Sequence, residues 1–370
     1  MSKQSESKPA AEESLHRFIL LALDSSPHAD RGLEDAVALA AWSGAAVTAV
    51  PVYAAKLHDQ RFRQMEGGLP EAFRKEEELE RQRDVHDDLI TRGLSVITDS
   101  YLDRADERCK NAGVPFFRRS LEGKNYRALT EEANGGQYDL LVLGALGVGA
   151  AASHRLGTVC QRLLRRANID TLVVRNPDAA LADGPIVVGV DGSPRSFGGL
   201  LTAIAWARKW GVPLHVVAAF DPDFHHVAFR RIAGVLSDAA AKVFRFKEQE
   251  ELHETVINDG LAKIYDSHLQ VARTLARDQG TEVTCELLSG KPHVALYEYT
   301  HKVKSSLLVL GRLGVHADPD LDIGGNAEAL VRDVDCAVLL SARQHAPRAD
   351  VVAETTTSFT QEAEQFLANV

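Results

Sequence analysis

The chain has 370 residues, room for two domains that each bury a core of their own. At 45% hydrophobic and 25% charged it has a globular composition, and its net charge of −10 excludes a general affinity for nucleic acid or an anionic membrane. Its four cysteines, Cys109, Cys160, Cys285 and Cys336, show no CxxC or ligand-like spacing, which excludes a disulfide framework or zinc finger and points to reduced, mostly buried thiols.

Residues 1–14 are polar, read as a disordered lead-in and contain no apolar signal region, so the cytoplasm is the expected location. A first domain is expected over 15–176. It opens with Phe18-Ile-Leu-Leu-Ala-Leu23, a continuous apolar run typical of a strand covered on both faces. Asp24-Ser25-Ser26-Pro27 ends that strand with turn chemistry. A helix over 31–43 closes at Gly44, and Ala45–Val52 forms a second strand. Residues 55–110 are long and heavily charged; Leu89, Leu94, Val96, Ile97 and Tyr101 predict an amphipathic helix within 70–110. Strand 114–120, helix 125–134, strand 140–143, helix 158–167 and strand 170–174 complete a β-α-β-α-β series.

A polar linker, 177–184, leads to a second domain over 185–343 with the same order. Its elements are strand 185–190, helix 196–209, strand 213–219, a long helical insert (244–278), strand 281–288, helix 292–303, strand 306–310, a loop, a helix and strand 336–341. Alternating strands and helices of this kind predict parallel sheets with right-handed crossovers, and a ligand at the carboxyl ends of the strands.

The two halves are an internal repeat. Gly144-Ala-Leu-Gly147, nine residues, Gly157-Thr158 returns 167 positions later as Gly311-Arg-Leu-Gly314, nine residues, Gly324-Gly325. At the same offset Asp24 maps to Asp191, Ser26 to Ser193, Gly44 to Gly211 and Gly123-Lys124 to Gly290-Lys291. A strand that stops at glycines and feeds a helix N-terminus is suited to phosphate: the backbone approaches closely, and exposed N–H groups and the helix dipole favour an anion. Three elements would meet in each half. Asp24 or Asp191 would face a ribose or an adenine edge, Val50 or Val217 would wall a base, and the glycine loop would take phosphates.

On these residues the chain resembles a tandem universal stress protein, with two domains covering nearly all of 16–343. The ATP-binding members of that family carry G-2x-G-9x-G-(S/T), which Gly144, Gly147, Gly157 and Thr158 match at every position. They also carry an aspartate ending the first strand, usually followed by Gly-Ser; Asp191-Gly192-Ser193 keeps this and Asp24-Ser25-Ser26 departs from it. The resemblance implies two open parallel-sheet α/β sandwich domains of the Rossmann-like, adenine nucleotide alpha hydrolase-like type, packed on one another as an intramolecular pseudo-dimer, with a homodimer as a further option. It implies binding of ATP or a related adenine nucleotide, with Mg²⁺ accompanying it, by Asp24, Ser25, Ser26, Val50, Gly144, Ala145, Gly147, Arg155, Gly157 and Thr158.

The second loop differs. Its spacer places Asp318, Asp320 and Asp322 where triphosphate oxygens would lie, and Gly325 removes the hydroxyl that Thr158 supplies. Asp191, Gly192, Ser193, Val217, Gly311, Gly314 and Gly324 therefore outline a site impaired for ATP or altered for another ligand. The three aspartates with His316 read first as a solvated acidic loop, so no metal is expected; a hard cation is the weaker alternative, and the EF-hand pattern fails at Ile323 and Ala329. HExxH, GxSxG and the P-loop are absent, so no catalytic set is assembled; at most slow ATP hydrolysis is expected. Lys124 and Lys291 are expected to be solvated at helix starts. The expected function is nucleotide-dependent stress signalling through an unidentified protein partner. The rival readings are a nucleotide-independent scaffold built on the long helices, and a weak ATPase. In the tail, 344–370, Ser358 and Gln361 signal a short helix whose Phe359 and Phe366 would dock on a surface.

Overall fold

The computed structural model describes residues 15–150, 155–222, 258–315, 318 and 322–347. The lead-in, the second insert before Asn258 and the tail from Arg348 lie outside the described residues, so the expectations made for them are not addressed. The chain divides into two compact units, one made of the residues up to Ser25 with Gly32–Val142, the other of Ser26–Arg31 with the residues from Leu143 onward.

In the first unit, β1 (Phe18–Ala22) is the apolar run expected, with Ile19, Leu20 and Leu21 fully buried. It pairs in parallel with β2 (Ala46–Val50) on one side and with β6 (Leu140–Gly144) on the other, in register Ile19↔Leu140. The helix after β1, α1 (Pro27–Ser43), starts four residues earlier than the sequence indicates, because Ser26 caps it. Gly44 ends it at φ +71°, a conformation that suits glycine. The single strand expected over 45–52 is broken at Pro51, which has no N–H to donate to a ladder. It becomes β2 and the short β3 (Val52–Tyr53), which pairs with β5 (Leu121–Glu122). Likewise the strand expected over 114–120 shrinks to β4 (Phe116–Arg118), an edge strand on β2. The helix α5 (Asn125–Ala133) follows Lys124, as expected.

The charged segment after β3 contains three helices: α2 (Ala55–Met65), which the sequence reading did not foresee, α3 (Glu76–Asp88) and α4 (Leu94–Asn111). A five-residue π-helical turn, Leu89–Gly93, joins the last two. Its wider winding rotates the faces, so the expected apolar face is wrong. Leu89, Val96 and Ile97 are 63%, 68% and 47% exposed, whereas Ile90, Thr98, Leu102, Ala105 and Cys109 turn inward. The inward residues of α4 recur every three or four positions, and α4 lies against β2 and β4.

The second unit holds one sheet in the order β10-β9-β8-β11-β12-β7. Its strands are β7 (Asp170–Val174), β8 (Ile186–Gly189), β9 (Leu214–Phe220), β10 (Thr284–Ser289), β11 (Leu307–Gly311) and β12 (Ala337–Ser341). Its helices are α6 (Thr158–Arg166), α7 (Pro194–Trp210), α8 (Asn258–Asp278), α9 (Pro292–Val303) and α10 (Gly325–Asp333). Every pairing from β10 to β12 is parallel, and Ile186, Val187, Val188, Leu307, Leu308, Val309, Val338 and Leu339 are fully buried, as continuous apolar strands require. The pair β12–β7 is antiparallel and joins the last strands of the two sequence repeats. Buried Asp170 fixes this junction by accepting from the N–H groups of Ala342 (2.8 Å) and Arg343 (3.1 Å). The linker is less purely polar than it looks in sequence: Leu181 is buried, and Ser306 Oγ donates to its carbonyl at 2.6 Å.

Candidate functional site

Both glycine loops lie in the second unit, and they share one backbone plan. In the first repeat Ala145 N donates to Val174 O (2.8 Å), Gly157 N to Ala145 O (2.7 Å) and Gln161 N to Gly157 O (3.0 Å). In the second, Arg312 N donates to Ser341 O (2.9 Å), Gly324 N to Arg312 O (2.9 Å) and Glu328 N to Gly324 O (2.9 Å). The last glycine of each loop is an extended residue before its helix: Gly157 has φ −71°, ψ 150°, and Gly324 φ −68°, ψ 141°. Thr158 and Gly325 are thus the first residues of α6 and α10, and both are exposed. A Cβ on Gly144 would lie 2.7 Å from the Cβ of His28, and one on Gly311 2.9 Å from the Ser196 nitrogen, so close packing as well as ligand approach requires glycine there.

The second repeat holds a half-open cavity of about 280 Å³ at the carboxyl ends of its strands. Of the residues singled out in the sequence, Asp191, Val217, Gly311, Gly314 and Gly324 line it, together with Gly325. The remaining walls are mainly apolar, from Ala219, Pro292, Leu296, Leu310 and Leu330, with Tyr265 of α8. Sequence reasoning missed these. A legible signal was the start of α9 at Lys291-Pro292, directly after a strand and a glycine. Asp191 is held rigidly: Oδ1 accepts from Ser193 N (3.0 Å) and Ser193 Oγ (2.6 Å), and Oδ2 from Val315 N (2.9 Å). A Cβ on Gly314 would stand 2.5 Å from Asp191 Oδ2, so this glycine admits the carboxylate to the loop. Gly192 turns at φ +84° under the ring of His268, where any side chain would collide.

Ser193 does not line the cavity. It is the N-cap of α7, accepting from Ser196 N at 3.2 Å, and Ser26 has the same duty for α1, accepting from Ala29 N at 3.2 Å. In the first unit, Leu23 N donates to Val50 O (3.2 Å) and sets the Asp24-Ser25 turn beside the end of β2. Val190 N and Val217 O (2.8 Å) repeat that bond in the second. Ser26, Gly144, Ala145, Gly147, Arg155, Gly157 and Thr158 belong to the second unit. Arg155 is placed on a carboxylate: its Nη1 lies 3.0 Å from Asp333 Oδ1, on an exposed surface. Of the three aspartates of the second spacer, Asp318 and Asp322 are exposed, and Asp320 and His316 lie outside the described residues. Among the described residues no cluster of three or more potential metal ligands occurs.

The helices that begin at the two loops are bound to each other. Arg165 Nε donates to Glu328 Oε1 at 3.2 Å, and Arg175 Nε to Val334 O at 2.8 Å. Arg312, which replaces Ala145 in the repeat, is buried; its Nε donates to Asp322 O (2.9 Å) and its Nη2 to Leu164 O near the end of α6. A cation there suits the negative end of the helix dipole. Burial pushes the Arg312 guanidinium down to about 10, above neutral pH, so the group keeps its charge.

The two loops differ in charge. At offset 167, Arg155 corresponds to Asp322 and Gln161 to Glu328, so the second loop is three charge units more negative at these two positions. The first turn of α6 has no acidic residue, whereas that of α10 carries Glu328.

The profile of the Universal stress protein family matches residues 16–175 and again 184–341. Universal stress protein Rv2005c of Mycobacterium tuberculosis is 41% identical over 88 residues, covering 22% of this chain and 29% of that protein. Universal stress protein MT2052 of the same species is 29% identical over 171 residues, covering 45% and 52%. The chain thus matches about a third to a half of the length of these relatives. Among solved structures, a universal stress protein from Archaeoglobus fulgidus superposes with a TM-score of 0.56 at 16% identity, covering 89% of this chain and 97% of that one. A putative universal stress protein from Pseudomonas aeruginosa gives 0.53 at 15%, covering 92% and 97%, a likeness of fold. With its profile matched twice over most of the sequence, the chain belongs to the universal stress protein family.

Proposed function

We propose that the protein binds an adenine nucleotide, ATP or a close relative, through the first repeat. Nucleotide occupancy of loop 144–158 would alter the surface offered to a protein partner, which makes the molecule a nucleotide-dependent regulator. The observation that carries this reading is the end of the first loop. Gly157 is extended, Thr158 opens α6 with an exposed hydroxyl, and the first turn of α6 has no acidic side chain to compete with an anion. In this proposal phosphates rest on the N–H groups after Gly144 and on Thr158, while Asp24 and Val50 keep the ribose and base roles that the sequence assigns them. Mg²⁺ would arrive with the phosphates. The domains are proposed to follow the repeat, 15–176 and 185–343.

Mass spectrometry of the denatured, freshly purified protein should release an adenine nucleotide. Gly147→Val, a branched side chain in an exposed loop, should lower ATP affinity by about tenfold or more with the circular dichroism unchanged. Unchanged ATP binding in that folded variant refutes the phosphate assignment. Steady-state phosphate release faster than slow background turnover would favour an ATPase instead.

A further inference from the structure

The second repeat keeps the loop geometry of the first but not its charge, and it holds a half-open cavity. At about 280 Å³ the cavity sits at the small end of ligand pockets, roughly 300–1,000 Å³, a fit for one base and one sugar. Val217 and Ala219 of β9 line it together with Leu296 of α9, and Tyr265 adds an aromatic ring. Apolar walls with an aromatic ring suit a flat heterocycle. The charged group in the described lining is Asp191, fixed by three hydrogen bonds; a carboxylate has about four acceptor sites, so one remains for a hydroxyl donor. No lysine or arginine is among the described lining residues. Around the loop, Asp318 and Asp322 are exposed and Gly325 offers no hydroxyl, while the Glu328 carboxylate is taken up by Arg165 and stands outside this balance. Phosphate, an acceptor and an anion, gains nothing from Asp191 and is opposed by the carboxylates of Asp318 and Asp322.

We propose that this cavity is a nucleoside site: it takes an uncharged adenosine-like nucleoside, with its sugar hydroxyl on Asp191, and rejects the phosphorylated forms. The inference rests on reading the first repeat as a nucleotide site, because the repeat is what identifies the heterocycle. The chain then reads two forms of one metabolite class, a charged one in the first repeat and a neutral one in the second.

Calorimetry on the full chain, with adenosine and ATP as the probes, tests this. Adenosine should bind one site per chain and remain bound under saturating ATP. Gly147→Val should weaken ATP about tenfold and adenosine less than about twofold, and Ala219→Phe, which fills the cavity, should do the reverse. Should Ala219→Phe fail to fold, the competition on the unaltered chain decides alone. Absence of adenosine binding, or its full displacement by ATP, overturns the nucleoside site. Loss of ATP binding with adenosine retained supports the site while refuting the nucleotide reading of the first repeat.

Discussion

At the scale of single residues, the second unit stores a pH dependence in its histidines. His268 packs against Gly192 with its Nδ1 buried and unbonded among the described residues, and burial pushes its imidazole below the usual 6.5, only partly opposed by the charge of Asp191. His215 is lowered by burial too, against the pull of Glu286, and its Nδ1 lies 2.9 Å from the Tyr299 hydroxyl. Both are therefore neutral in the folded chain where an unfolded histidine, with a pKa near 6.5, already takes up a proton. Below that value the unfolded state binds more protons, so stability falls as pH drops from about 6.5 toward the lowered folded values. The melting temperature should fall between pH 7.5 and 5.5 by a few degrees, roughly 2–4 °C for each kcal/mol lost in a chain this long. His268→Gln and His215→Gln should each flatten that slope in a thermal melt. A melting temperature that is level or rises toward pH 5.5 removes this account.

Among the elements, the two first helices show what the repeat preserves and what it lets go. Pro27 and Pro194, Gly32 and Gly199, Gly44 and Gly211 correspond, but Arg31 stands where the second repeat has Gly198. The cause is the path of the chain after β12. His345 N donates to Pro194 O (2.8 Å), and the backbone at Arg343 crosses the helix so closely that a Cβ on Gly198 would lie 2.2 Å from the Arg343 carbonyl oxygen. Alanine is the better helix former by about 0.8–1 kcal/mol. Yet the obstacle is main chain and not a movable side chain, so overpacking, about 1–3 kcal/mol, wins. Gly198→Ala should lower the denaturant midpoint at unchanged m-value; a raised midpoint would show that the exit segment gives way freely. Much of this scale was legible. Buried parallel strands announce themselves as unbroken apolar runs, and Leu140–Leu143 and Leu307–Leu310 lie where the runs are. Glycine loops were legible because their spacing repeats. Three features were not. A π-turn at Leu89–Gly93 shifts the helix phase, and its single mark, Gly93, is a residue a regular helix also tolerates, so exposed Leu89, Val96 and Ile97 looked like core. The capping duty of Ser26 and Ser193 was hidden behind their reading as ligand contacts, although a serine directly before a proline at a helix start commonly serves as its cap. Tyr265 and Leu296 join the cavity through packing between distant segments, which local pattern does not encode.

For the molecule as a whole, the decisive contact is the one between the repeats' last strands. A tandem duplication leaves each copy with a sheet edge at its final strand, and an unpaired edge invites aggregation. Here β7 and β12 cover one another, antiparallel, in register Leu172↔Leu339, with Leu172, Val173, Val338 and Leu339 fully buried. The pairing is reinforced off the sheet by Arg155–Asp333, Arg165–Glu328 and the Arg312 bond to Leu164, each joining a residue before the linker to one after it. The linker itself contributes one covalent path, along residues 177–184, where Ala182 and Asp183 are exposed. The exposed ion pairs add little, about 0–1 kcal/mol each, so the junction depends on the buried strands and on Asp170. Inserting a specific protease site between Ala182 and Asp183 and cleaving the folded protein should give two fragments that co-elute from gel filtration, at low salt and in 1 M salt alike. High salt removes the screened surface pairs and leaves the apolar strand junction. Fragments that separate at low salt would mean that the linker, and not the shared strands, holds the repeats together. Separation in 1 M salt alone would transfer the weight to the arginines.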